Sequence, residues 1–225
     1  MLGFDLVQPV QFIVAILVGL TVHEFSHASM AYWLGDPTPK SQGRVTLNPL
    51  AHLDPLGTIM MLISSLAGVG IGWGRPVLVD QRKLRNRRVD NFILTIAGPL
   101  SNLLQAIFWA ILLRFVLVPI GSELRGSGLF ELVTNFALVS VLINTGLFVF
   151  NLVPLGPLDG HWLVSELLPD KQRFAWLKFC HGPGMFIFLA LVLIPPGPYD
   201  VLGNFMYPFI KRIVSVLLGI PSDVL

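Results

Sequence analysis

Several stretches of this chain are apolar enough, for long enough, to cross a lipid bilayer, and nothing else in the sequence restricts its fold so strongly. A helix needs about 20 predominantly apolar residues to span a hydrocarbon core. Residues 9–34, 92–118 and 133–155 reach that length, and 174–194 is a weaker fourth candidate. In lipid every backbone N–H and C=O must be satisfied inside the protein, so such runs form helices. Composition agrees: 54% of residues are hydrophobic, 12% are charged and the mean hydropathy is +0.74. Soluble domains carry about 25% charged residues. The reading is a single all-α polytopic membrane domain over residues 1–225, with a three-helix core and additional C-terminal helices over 174–220. The tail around 207–220 sets Lys211 and Arg212 among apolar residues, which fits either an interfacial amphipathic helix or a further span. The first run lacks the basic lead and cleavage site of a signal peptide and is expected to be retained. A net charge of +2 is too small to indicate a nucleic-acid partner, and the single cysteine, Cys180, cannot form an intramolecular disulfide.

Between the first two spans the texture changes. Residues 35–90 are rich in Gly, Pro and Asn, and the β-prone pieces 44–47 and 77–79 are bounded by turn residues. They predict a small membrane-associated β-hairpin, with the short apolar stretch 55–71 entering the membrane and returning. Gly68, Gly70, Gly72 and Gly74 recur with a period of two, which would let another backbone approach one face closely. Six basic residues (Arg75, Arg82, Lys83, Arg85, Arg87 and Arg88) then face a single acid, Asp80, whereas residues 119–132 hold Arg125 against Glu123 and Glu131. Positively charged loops stay in the cytoplasm. The first span therefore runs inward, the second outward and the third inward again.

Within the first span stands His23-Glu24-Phe25-Ser26-His27. On a helix the two histidines, four residues apart, share a face and can meet one divalent ion, with Glu24 beside them as a proton acceptor. Ionisable groups at the centre of a spanning helix cost about 2.5–3.5 kcal/mol each on insertion scales, so three together need a partner or a polar cavity. A hydrolytic zinc site takes three protein ligands and leaves one position open. Asp159, just past the Pro154–Pro157 helix break, is the best third candidate. Asp54 and His161 are weaker, and Asp159 could instead cap the helix that follows it. Asp80 and Asp170 read as ordinary loop acids. Asn102 and Asn151 are polar groups placed either to stabilise a developing oxyanion or to bond between helices.

These motifs resemble the site-2 protease family of intramembrane zinc metalloproteases. The resemblance rests on HEFSH in the first span, Ala97-Gly98-Pro99-Leu100-Ser101-Asn102 in the second, and Asn151-Leu152-Val153-Pro154 followed by Leu158-Asp159-Gly160, and it extends over most of the chain. It implies His23, His27 and Asp159 as ligands of one zinc per chain, and Glu24 as the catalytic glutamate. It also implies a plasma-membrane enzyme with a cytoplasm-facing site, cutting peptide bonds in or near the transmembrane segments of other proteins. Residues 119–132 are too few for the PDZ domain of some relatives, and the C-terminal regulatory domain of others is not expected, which suggests a minimal member. A substrate helix must unwind to expose a carbonyl, and residues 43–47 or 70–79 could pair with the extended strand that results, with Gly70, Gly72, Gly74 and Val77 in contact. A second reading uses the same His, Glu and Asp cluster as the transit site of a metal transporter. Oligomeric state is not legible here.

Overall fold

The computed structural model describes residues 7–66, 73–124, 126–194, 197, 200–221 and 223. Three long helices make the core: α1 (Val7–Trp33), α4 (Arg87–Leu112) and α6 (Gly128–Asn151). Two short helices, α2 (Thr38–Ser41) and α3 (Pro55–Leu66), lie between the first two. A π turn at Leu113–Leu117 carries α4 into α5 (Val118–Leu124), so the stretch read as an outer loop is largely helical. After α6 come α7 (Asp159–Leu167), α8 (Asp170–His181), α9 (Pro183–Leu193) and α10 (Val201–Leu218).

The core helices pack along stripes of small residues. On α1, Gln11, Ala15, Gly19, His23, His27 and Ala31 recur every four residues and are all buried. On α4 the same spacing buries Asp90, Leu94, Gly98, Asn102, Ala106 and Ala110. Small side chains let helix backbones approach closely where lipid supplies no hydrophobic drive for association. The outer faces carry Val10, Val14 and Val18 on α1, Leu104, Phe108 and Ile111 on α4 and Phe115 on the π turn that follows it, all exposed and suited to acyl chains. Gly19 meets Asn102 and Asn144, Gln11 meets Leu132, and Trp109 meets Phe136. These contacts make α1 and α6 parallel and α4 antiparallel to both. The ends at Trp33, Arg87 and Asn151 therefore lie together, near the basic residues 75–88.

Helices α1, α6 and α10, and α4 with its continuation, are long and apolar enough to cross a bilayer, and α8 with α9 pass as one unit bent by 46°. The tail is thus a full-length helix beginning at Val201, where the Asp200 carboxylate accepts from the Gly203 N–H at 2.7 Å. Helix α6 stops at Asn151, short of the expected 155, because Pro154 has no N–H to continue the ladder.

The expected β-hairpin is not formed. Among the described residues there is no strand, and the nearest approach to one is an isolated antiparallel bridge between Leu53 and Gly74. The Arg75 N–H donates to the His52 carbonyl at 2.7 Å, extending that contact by one residue. Buried Arg44 takes the place of a neighbouring strand: its guanidinium donates to the carbonyls of Ala51, Arg75 (2.5 Å) and Pro76 (2.7 Å). Residues 55–66 form α3, too short to span.

Candidate metal centre

His23 and His27 sit one helical turn apart on the buried stripe of α1, facing α4. From His23 to the end of α1 at Trp33 is about 15 Å at 1.5 Å per residue, so the pair lies well inside the length of the spanning helices. Each imidazole is anchored through Nδ1, to the Asn102 Oδ1 at 2.6 Å for His23 and to the Leu94 carbonyl at 2.7 Å for His27. Anchored in this way, both rings turn Nε2 toward the same point, with the two nitrogens 3.0 Å apart.

Helix α4 supplies the room and one of the anchors. A Cβ on Gly98 would lie 2.2 Å from the His27 Nε2 and 2.7 Å from the His23 Nε2. Only a glycine lets the histidines lie against this helix. Pro99 has no N–H for the Thr95 carbonyl and distorts the preceding turn, the one from which Leu94 offers its carbonyl to His27.

Asp159 arrives from the other side. It opens α7, but the residue in the capping position is Leu158, and the Asp159 Oδ2 lies 3.1 Å from Nε2 of both histidines. The turn that brings it there depends on Gly160, where a Cβ would come within 2.4 Å of the Val153 carbonyl and 2.5 Å of the Leu152 carbonyl. Helix α7 is fastened to α4 and α8 through Glu166, which accepts from Asn91 at 2.5 Å and Arg173 at 2.7 Å.

His23, His27 and Asp159 are the one group of metal-ligating side chains drawn together among the described residues. The donor set suits zinc: two imidazole nitrogens with their Nδ1 positions committed elsewhere, and a carboxylate. Donor separations of 3.0–3.1 Å are close to those of ligands sharing one ion at about 2.0–2.2 Å. Glu24, next along α1, is half-buried and outside this triad.

The other acidic candidates are engaged elsewhere. Asp54 caps α3 through the Gly57 N–H at 2.8 Å, Asp80 pairs with Arg82, and Asp170 pairs with Arg88. Buried His161 donates from Nδ1 to the Leu158 carbonyl, and burial pushes its imidazole below the usual range. Both amide hydrogens of Asn102 are taken, by the Gly19 carbonyl at 3.1 Å and the Asn144 Oδ1 at 3.0 Å, which leaves no donor for an oxyanion. The Asn151 amide donates to the Leu147 carbonyl at 2.9 Å. Gly70 and Gly72 lie outside the described residues. Gly74 pairs with Leu53, and Val77 is half-buried and in no strand. Asn144, which reaches the triad through Asn102, reads in the sequence as one more polar residue in an apolar run.

The chain is similar to named proteins. It is 38% identical over 187 residues to "Putative zinc metalloprotease YwhC" of Bacillus subtilis, a match covering 83% of this chain and 82% of that protein. It is 32% identical over 181 residues to "Putative zinc metalloprotease Rip2" of Mycolicibacterium smegmatis, and 32% identical over 160 residues to Rip2 of Mycobacterium tuberculosis. The matches span 65% and 57% of those two proteins. No family model and no solved structure matches. With YwhC aligned across most of both chains and a two-histidine, one-aspartate cluster in place, the chain belongs to the site-2 protease family of zinc metalloproteases.

Proposed function

We propose that this protein is an intramembrane endopeptidase that hydrolyses peptide bonds in or near the transmembrane segments of other membrane proteins. The observation that carries the proposal is the triad of His23, His27 and Asp159, with Glu24 adjacent, inside a bundle of spanning helices. Hydrolysis at that depth needs water and a polarising group in one small polar cavity walled by apolar helices. Zinc held by the triad would supply Lewis acidity, acidifying a water and polarising the scissile carbonyl. Glu24 takes the proton of the attacking water and returns it to the leaving amine. Of the two asparagines considered for the oxyanion, Asn151 is the one free to turn, since among the described residues its side chain bonds to its own helix, at Leu147. In the Gly74–Val77 segment the Arg75 N–H and the Arg75 and Pro76 carbonyls already have partners, and the Asp80 N–H donates to Asp36, which leaves residues 77–79 to pair with an unwound substrate. The test is to express the protein with tagged single-span membrane proteins; fragments should appear with wild type and be absent with Glu24→Gln. Fragments formed equally by both would refute the proposal.

Asp159→Ala is expected to lower zinc well below the wild-type content of one per chain, read by elemental analysis of purified protein. Full zinc in that variant would remove Asp159 from the ligand set.

The same proposal places the protein in the plasma membrane with the site opening to the cytoplasm. A cysteine at Arg85 should then resist an impermeant thiol reagent in intact cells, while one at Ser127 should label. The native Cys180 is fully buried and adds little background. The reverse labelling pattern would invert the topology.

A further inference from the structure

We propose that Asn144 and Asn102 form a hydrogen-bond relay that holds His23 in its Nδ1–H tautomer, which makes Asn144 a positioning residue for His23. This rests on the reading of His23 as a metal ligand. The polarity of the relay follows from two main-chain carbonyls, which can only accept. The Ser140 carbonyl lies 3.0 Å from the Asn144 amide nitrogen, so Asn144 must turn its NH2 there and its Oδ1 toward Asn102. The Gly19 carbonyl and the Asn144 Oδ1 then both face the Asn102 nitrogen, at 3.1 and 3.0 Å. Flipping Asn102 would set its oxygen against two acceptors. Its Oδ1 therefore points at His23, and at 2.6 Å the His23 Nδ1 must carry the hydrogen. The lone pair is left on Nε2, on the side of His27 and Asp159.

Burial gives the relay its hold. Asn102 is 0% exposed and Asn144 1%, so water does not compete for these bonds. The relay also crosses all three core helices, from α6 through α4 to α1, and so couples their packing to the orientation of one ligand. Without the Asn144 oxygen, Asn102 keeps the Gly19 bond alone, besides the one to His23 itself, to fix its rotation. Partners of metal-bound histidines typically contribute about 10–100-fold in metal affinity, and Asn144 acts one bond further out, which points to the lower end.

The test uses purified full-length protein in detergent, with zinc affinity read by competition against a chelator, cobalt substituted to report geometry, and 15N signals of labelled histidine to report the tautomer. Asn144→Leu keeps the shape and loses the acceptor, and should weaken zinc about tenfold and alter the cobalt spectrum. Asn144→Asp, whose neutral form keeps an acceptor oxygen for Asn102 and an O–H for Ser140, should stay within about threefold. Metal-free wild type should show His23 as Nδ1–H. Wild-type zinc affinity in Asn144→Leu would overturn the relay, as would equal losses in both variants. An Nε2–H tautomer in wild type would do the same without any variant having to fold. Wild type that takes up no zinc would overturn the metal-centre reading itself, whereas failure of the relay alone leaves wild-type zinc intact.

Discussion

Glu24→Gln should abolish detectable cleavage of a transmembrane substrate while zinc content stays at the wild-type level. The substitution preserves shape and removes the basic oxygen, so what is lost is proton transfer, worth about 10²–10⁴ in rate. At 1.36 kcal/mol per tenfold, that range is about 3–5 kcal/mol of transition-state stabilisation. Zinc should be retained because the atoms that could hold it are those of His23, His27 and Asp159. Cleavage rate and metal content should be measured on the same preparation. A variant that keeps more than a tenth of the activity would assign the base elsewhere, and one that loses its zinc would make Glu24 a ligand. A change in metal uptake, with no fragments from either protein, would favour transport over proteolysis.

What could be read from the chain alone depended on whether the information was local. His23 and His27 were legible because a spacing of four puts two side chains on one helical face whatever surrounds the helix. Asp159 was harder. Its position after a proline-containing break marks it as free to turn, but its 3.1 Å approach to both histidines depends on Gly160 in the turn and on the docking of α7 through Glu166. Asn144 could not be singled out, because its importance comes from the register between α4 and α6. For the same reason the sequence leaves Asn102 open between stabilising an oxyanion and bonding between helices, and the register shows the second. Its hydrogens are spent on Gly19 and Asn144, which no hydropathy pattern reveals.

The missing β-hairpin has a different cause. Residues 44–47 and 77–79 have β-prone composition, and in water-exposed chain their backbone groups would seek another backbone. Here Arg44 is buried, and a guanidinium brings five N–H donors in a fixed fork. The Arg75 and Pro76 carbonyls, just ahead of residues 77–79, are satisfied by that one side chain, which ties them to the Ala51 carbonyl as well. Neither segment becomes a strand: Val45 and Thr46 lie in a bend, and residues 77–79 carry no regular structure. In the sequence, Arg44 is simply the first residue of a β-prone piece, with nothing to mark it as the partner of a segment some thirty residues later.

Gly98→Ala should strip the site of its metal through the addition of one methyl group. The new Cβ would fall 2.2 Å from the His27 Nε2, 2.5 Å from its Cε1 and 2.7 Å from the His23 Nε2. Neither ring can retreat while its bond to the Leu94 carbonyl or to Asn102 holds. Relief of the clash takes a displacement of about 1 Å, and metal sites need their ligands held within about 0.5 Å. Alanine favours a helix interior over glycine by about 0.5–1 kcal/mol, so α4 itself is not weakened by the change. The expected pattern is therefore an unaltered helical circular dichroism spectrum, zinc below about a tenth of wild type and no cleavage. Loss of helix together with loss of zinc would mean that the methyl group breaks the bundle rather than the site. Full zinc and full activity would show that His23 and His27 do not lie against Gly98, and the geometry of the metal centre would have to be redrawn.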